Sequence, residues 1–495
     1  MIYQSTRNDD LKESSAQAIL DGLAKDGGLY SPASLSDIHF DWRALLPLDT
    51  RQMAVKILAA LLPSFTEAEM GELVRRAYAG KFETDELTPT VSVGEDTILE
   101  LFRGPTSAFK DVALSMLPVL MTAARDKCGV ADEILILTAT SGDTGKAAME
   151  GFMNVPGTRI MVFYPCGGVS PVQQAQMVTQ AGDNVCVCAV RGNFDDAQTG
   201  MKRVFTAVEE GELLEGKGVR LSSANSINIG RLAPQVVYYC KAYADLVKRG
   251  RIAVGDPVDF VVPTGNFGDI LAGYFAKMLG LPVGKLVCAS NANNILTDFL
   301  TTGVYDRNRP FFKTVSPSMD ILVSSNLERL LFLLSGDARL VAALMRSLSE
   351  TGAYEVPASL KAKLDELFFA GCCNDDGTKA AIGRVWQEYS YLMDTHTAVA
   401  YDVAQQYKAA CTDHAPVVIL STASPYKFPA AVLEALGEDP GKDEFQAMER
   451  VESMTSVPMP KNLRTLRERP VRHRDVIAPE EMLNYVLDKA VQKEW

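Results

Sequence analysis

The sequence predicts an α/β protein with two open, mainly parallel twisted-sheet domains and a mostly helical N-terminal extension. Three observations predict it. Short β-branched runs recur along the chain, each followed by a polar or glycine turn and then a helical stretch, the alternation that implies βαβ units. The runs are nearly continuous in apolar residues, as parallel strands covered on both faces should be. At 495 residues, 47% hydrophobic and 22% charged, the chain has enough apolar material for more than one core.

Residues 1–96 form the expected extension, in which "ILDGLAKDGGLYSP" (19–32) closes a helix at Gly27-Gly28 and turns at Pro32. Residues 97–250 carry the candidate strands "TILELF" (97–102), "EILILTA" (133–139), "RIMVFYP" (159–165) and "NVCVCAV" (184–190), the last before a helix near 194–209. The polar stretch "ADLVKRGRIAVGDP" (244–257) marks the boundary. Residues 251–495 carry "VDFVVP" (258–263), "KLVCAS" (285–290) and "VVILST" (417–422), with a helical insertion near 326–370.

Composition removes several classes of function. A net charge of −13 argues against nucleic acid or an anionic membrane as a broad surface partner. It leaves anionic small molecules open, because a few backbone N–H groups hold a phosphate whatever the global charge. No stretch approaches a membrane span, and "MIYQSTRNDD" has no targeting character, so a cytoplasmic location is expected. Nine cysteines without CxxC pairs read as reduced, mostly buried thiols, and four scattered histidines without ligand spacing argue against a metal site.

Ligands of open α/β sheets bind beyond the carboxyl ends of the strands, so the strand-to-helix turns are where chemistry is expected. Four are unusual. "TATSGDTGKAA" (138–148) sets Thr140, Ser141, Asp143 and Thr144 among two glycines, which suits close approach to an anion and equally suits an ordinary helix start. Its glycine spacing excludes a P-loop. "PTGNFGDILAG" (263–273) places Gly265, Asn266, Phe267, Gly268 and Asp269 at a helix start, fit for a phosphate ester. Without GxGxxG a dinucleotide is disfavoured. "SANSINIGRLAPQ" (223–235) offers Ser226, Asn228 and Arg231, a set matching phosphate or carboxylate, or else a solvated loop. "STASPYKF" (421–428) ends a buried strand with Thr422 and Ser424, which also read as a cap.

Lys110, in "FRGPTSAFKDVAL" (102–114), heads an apolar helix. Desolvation and the positive end of the helix both favour its free amine, the condition for Schiff-base chemistry. The plain alternative is a lysine reaching water or pairing with Asp111.

Taken together, "GPTSAFKD", "TSGDTG", "NSINIGR", "PTGNFGD" and "STASPYKF" occur in the order found in threonine synthases. "YQSTR", "DGGLYSP" and "DTHTAVAY" (394–401) resemble the same family, over about residues 1–440 and in its N-terminally extended form. That family has the fold-type II, tryptophan synthase β-like architecture of pyridoxal-phosphate enzymes. The resemblance implies that Lys110 carries pyridoxal 5'-phosphate as a Schiff base. Gly265, Asn266, Phe267, Gly268 and Asp269 would hold its phosphate, and Thr422 would hydrogen-bond the pyridine nitrogen. Thr140, Ser141, Asp143 and Thr144 would meet the substrate carboxylate and the cofactor's ring oxygen. Ser226, Asn228 and Arg231 would meet the substrate phosphate. Arg103 stands where many members have histidine; it keeps a donor but no base near neutral pH.

The implied reaction turns O-phospho-L-homoserine and water into L-threonine and phosphate, in a monomer without metal, with Lys110 moving the α and β protons. Two rivals stand beside it: a phospho-amino acid lyase releasing a 2-oxo acid and phosphate, and a non-catalytic phosphate or amino-acid binder that keeps the fold.

Overall fold

A computed structural model describes residues 1–495 apart from 37, 39, 141, 493 and 494, with the backbone alone at 194 and 195. The chain opens with strands where a helical extension is expected. β1 (Tyr3–Ser5), β2 (Asn8–Glu13) and β3 (Tyr30–Pro32) form a small antiparallel sheet in the order β2-β1-β3. The alternation of "YQS" and the turn at Thr6-Arg7 are too short to outweigh the apolar periodicity that follows. Three helices do form, α1 (Ser15–Asp21), α2 (Thr50–Leu61) and α3 (Glu67–Tyr78). Capping boxes at Asp49/Gln52 and Thr66/Glu69 open the second and third. The first ends at Gly22 (φ 73°), well before Gly27-Gly28.

Of the remaining strands, β4 (Thr90–Val93), β5 (Asp96–Glu100), β10 (Val258–Pro263), β11 (Val283–Ser290), β14 (Phe368–Cys372) and β15 (Val417–Ser421) make a six-stranded sheet, ordered β14-β11-β10-β15-β5-β4. Every pairing in it is parallel except β4 with β5. β6 (Glu133–Ala139), β7 (Thr158–Pro165), β8 (Val185–Val190), β9 (Val219–Ser223) and β16 (Asp475–Ile477) make an all-parallel sheet, ordered β16-β8-β7-β6-β9. A separate hairpin-like pair joins β12 (Val304–Asp306) to β13 (Ala353–Glu355).

The chain therefore does not keep to the divisions 97–250 and 251–495. The strand read at 97–102 belongs to the six-stranded sheet, and β16 returns from the far C-terminal region to the five-stranded one. Residues 326–370 are mostly helical, but their end runs into β14, an edge strand of the larger sheet. Sheet membership is a tertiary choice that the local pattern of a run does not contain.

Two further helices set the site. α4 (Lys110–Lys127) is buried along most of its length, and α5 (Asp143–Phe152) packs against it. A Cβ at Gly151 would lie 1.9 Å from the Leu114 carbonyl oxygen, so only glycine permits this approach. No helix among the described residues is long and apolar enough to cross a membrane.

Candidate active site

Lys110 owes its position to a zipper with the end of β15. Leu101 N–H donates to the Ser421 carbonyl at 2.9 Å, Phe109 N–H to the Thr422 carbonyl at 2.8 Å, and Ser424 N–H to the Ser107 carbonyl at 3.1 Å. Inside the loop, the Thr106 hydroxyl and N–H donate to Asp111 at 2.6 and 2.8 Å. A Cβ at Gly104 would strike Asp111 at 2.5 Å. Asp111 is thus spent on the loop instead of pairing with its neighbour lysine. Lys110 is 7% exposed, its Nζ 4.6 Å from the Phe109 ring centre and 4.0 Å from Asp143 Oδ2. Burial, joined by the charges of Arg231 and Lys427, lowers the amine to about 8 against the pull of Asp143.

Beyond β10 the chain turns through Gly265–Asp269 into the helix Gly268–Met278. Phe267 sits in the left-handed region (φ 61°), its ring buried and 5.7 Å from that of Phe368. An aromatic residue in that conformation is strained, and packing holds it there. The carbonyls of the turn are taken: Ser324 Oγ donates to Gly265 at 2.8 Å and Asn326 Nδ2 to Asn266 at 3.1 Å. Among the described residues the N–H groups of Gly265, Asn266 and Phe267 donate to no protein acceptor. A Cβ at Gly265 would stand 2.7 Å from the Ser318 carbonyl oxygen. Asp269 is held by Tyr238 and Tyr239, whose hydroxyls donate to Oδ1 at 2.6 and 2.9 Å. Burial raises its carboxyl to about 6 despite those bonds, which weakens the repulsion an anion would meet.

Arg231 is 6% exposed and donates to the Ala224 carbonyl at 2.9 Å. Among the described residues no carboxylate pairs with it, and burial brings its guanidinium down to about 10. A buried cation without a counter-ion is costly unless a ligand brings the charge. Ser226 lies half-buried beside Ser325, hydroxyls 3.4 Å apart. Asn228 has another job. It caps the short helix Ile229–Leu232 through Gly230 N–H (2.9 Å) and ties that turn to α1 by donating to Ile19 O (2.9 Å).

In the turn after β6, Thr140 Oγ1 accepts the N–H groups of Gly142 and Gly145 at 3.0 and 2.9 Å, so this hydroxyl builds the turn. Ser141 lies outside the described residues, and Thr144 is half-buried. Asp143 is buried and committed to cations: Lys427 Nζ is 2.6 Å from its Oδ1. Burial alone would raise this carboxyl, but Lys427 and Lys110 hold it far below the usual range. It is therefore a partner of lysines and no receptor for a carboxylate.

Thr422 is buried at the end of β15, its carbonyl tied to Phe109 as above. Arg103 is answered by two carboxylates. It reaches Glu100 at 2.8 and 2.6 Å and Glu83 at 3.3 Å, a structural pair at the rim of the loop. Sequence reading missed Lys427 and His396. Lys427 was in plain view in "PYKF", but nothing local says that it turns inward. His396 is buried, with Nδ1 2.9 Å from Asp394 Oδ1 and Nε2 accepting Ser318 N–H at 3.1 Å, so it pins the residue that lies against Gly265.

Arg231 and Asp269 lie near enough to act on Lys110 by charge, and a Cβ at Gly268 would stand 3.8 Å from Ser226 Cβ, so the desolvated amine, the arginine and the glycine turn are neighbours. The set fits a phosphate-bearing aldehyde bound through Lys110, together with an anionic substrate.

Comparison with known proteins gives the chain's relatives. The family description "Threonine synthase N terminus" matches residues 2–78 and "Threonine synthase, C-terminal" matches residues 397–485. The chain is 38% identical to a Pseudomonas aeruginosa threonine synthase over 465 residues, covering 92% of this chain and 96% of that protein. It is 40% identical to threonine synthase-like 1 of Homo sapiens over 439 residues, 85% of this chain, and spans 58% of that relative's length. The solved structure of a pyridoxal-phosphate-bound threonine synthase from Brucella melitensis superposes with a TM-score of 0.86 at 38% identity, over 99% of both chains.

Proposed function

This chain belongs to the threonine synthase family, and from that membership we propose that it converts O-phospho-L-homoserine and water into L-threonine and phosphate, with pyridoxal 5'-phosphate as cofactor. The observation that carries the reading is the pairing of a buried, readily deprotonated lysine with a buried arginine that has no carboxylate of its own.

When bound, the cofactor supplies an electron sink for charge developing at the substrate α-carbon. Lys110 would hold it covalently, and the amides and glycines of 265–268 would hold its phosphate. The Thr422 hydroxyl would meet the ring nitrogen. The free Lys110 amine would take the α-proton, and only after giving that proton up would it take one from the β-carbon; an amine near 8 can accept and release protons close to neutral pH. Arg231 and Ser226 would hold the γ-phosphate and orient it as leaving group, while Thr144 would meet the α-carboxylate. Asn228 acts through the frame.

The test is direct. Purified protein loaded with pyridoxal 5'-phosphate is given O-phospho-L-homoserine, and threonine and 2-oxobutyrate are measured beside phosphate. Threonine equal to phosphate supports the reading; 2-oxobutyrate equal to phosphate replaces it with the lyase, and no phosphate release refutes it.

A further inference from the structure

We propose that Lys427 is a positioning residue for Lys110: its ammonium takes the Asp143 carboxylate for itself and so leaves the Lys110 amine free to lose a proton. The inference rests on the function proposed above and reaches a residue that reading does not use.

Lys427 ends the turn Pro425–Lys427 after β15, which the Ser424 hydroxyl opens by accepting Tyr426 N–H. Its side chain is 0% exposed. Nζ lies 2.6 Å from Asp143 Oδ1 and donates to the Thr106 carbonyl at 3.2 Å. Lys110 Nζ approaches the other oxygen, Oδ2, only to 4.0 Å. One carboxylate thus faces two ammonium groups, and the geometry divides it unequally. It cannot drift towards Lys110. Gln173 Nε2 also holds Oδ1, at 3.1 Å, and Asp143 heads α5, which Gly151 presses onto α4.

The chemistry explains why the division matters. A buried carboxylate beside a lone lysine stabilises the ammonium, and an ammonium is no nucleophile. A second cation in contact with the carboxylate offsets part of its field at the first. The charged groups facing Lys110 come from every element around it. Asp143 on α5 and Asp111 on α4 favour its ammonium form, whereas Arg231 and Lys427 oppose it. Asp269 at the head of the helix Gly268–Met278 also interacts with it, and His396 bears on Asp143. Lys427 differs from Arg231 in touching the carboxylate itself. If it only filled space and braced Thr106, its removal would disturb the loop without a defined effect on the amine.

The experiment follows the amine without turnover. Cofactor-free full-length chain is mixed with pyridoxal 5'-phosphate across a range of pH, the adduct is fixed with borohydride, and Lys110 modification is timed by mass spectrometry. The wild-type uptake rate should rise with a midpoint near 8. Lys427→Met should move the midpoint up by about one unit or more, and Asp143→Asn should move it down. The double variant should fall between the two singles, because the opposing charges leave together. A Lys427→Met midpoint equal to wild type overturns the proposal, as does a double variant no different from Lys427→Met. Should Lys427→Met not fold, an unchanged midpoint in Asp143→Asn is enough to overturn it. The threonine assay fails or succeeds independently of these midpoints, so the two claims fall separately.

Discussion

Arg7 and Glu328 meet in a two-point ion pair, Nε to Oε1 at 2.8 Å and Nη2 to Oε2 at 2.7 Å, from opposite regions of the sequence. Thr6 donates to the same carboxylate. Next along, Arg329 is fully buried and donates to the carbonyls of Tyr30 (2.9 Å), Ser226 (3.4 Å) and Ile227. Ser324 and Asn326, just before, hold the Gly265–Asn266 turn. The N-terminal sheet and the 265–269 turn therefore share one brace.

Arg7→Ala should loosen that brace. Glu328 would be left buried with Thr6 alone, which costs about 2 kcal/mol once the partial exposure of Arg7 is discounted. Thermal denaturation should show the loss, and equilibrium dialysis should show weaker retention of pyridoxal 5'-phosphate. Full cofactor affinity in a destabilised variant would sever the proposed link between the extension and the turn.

Gly265→Ala should act on binding more than on folding. The new Cβ would meet the Ser318 oxygen, and Ser318 cannot retreat because its N–H is held by His396. A loss of at least about tenfold in cofactor affinity is expected, worth about 1.4 kcal/mol. A fluorescence titration of cofactor-free protein measures it.

Arg231→Leu should separate function from stability. It removes a charge-assisted contact to the substrate phosphate, so kcat/KM should drop by about 10- to 100-fold. The cofactor-free protein should become no less stable, since a buried cation without a carboxylate partner disappears. Steady-state kinetics beside urea denaturation tests both halves. A destabilised variant would mean that the guanidinium is a structural tie.

Lys110→Met should stabilise the cofactor-free chain in a pH-dependent way. The folded amine titrates at about 8 against an ordinary 10.5, so between those values the unfolded chain binds more protons and wild-type stability rises with pH. Below about pH 8 the variant gains the full burial penalty, on the order of 3 kcal/mol. The gain should fade as pH climbs towards 10.5. Denaturation of both proteins at several pH values gives the difference, and a gain independent of pH would place the amine's cost elsewhere.

Most strands with four or more apolar residues in a run were legible, because burial on both faces writes itself into composition; the edge strand β14, which shares the run Leu367–Ala370, reads as part of a helical insertion. β6 and β10 match their predicted limits to the residue. β1 and β16 carry no such signature; each is three residues long and gains its place from a partner far along the chain. The site divides on the same line. Lys110, the 265–269 turn and Arg231 announce themselves through local chemistry. Asn228 and Asp143 carry side chains whose duty depends on what folds against them, and Lys427 points inward only because Asp143 is there.

β16 also bears on how the protein is made. Its three residues, 475–477, pair in parallel with Cys188, Ala189 and Val190, and the helix Met482–Val491 that follows is held by Arg159, which donates to the carbonyl of Gln492 at 2.7 Å. On the ribosome, β6 to β9 emerge long before their last neighbour. Until then the Val185–Val190 edge is an open, apolar template for any passing strand. The nascent chain thus has a long interval in which this apolar edge stands unpaired, a period of aggregation risk that ends only when residues 475–477 arrive.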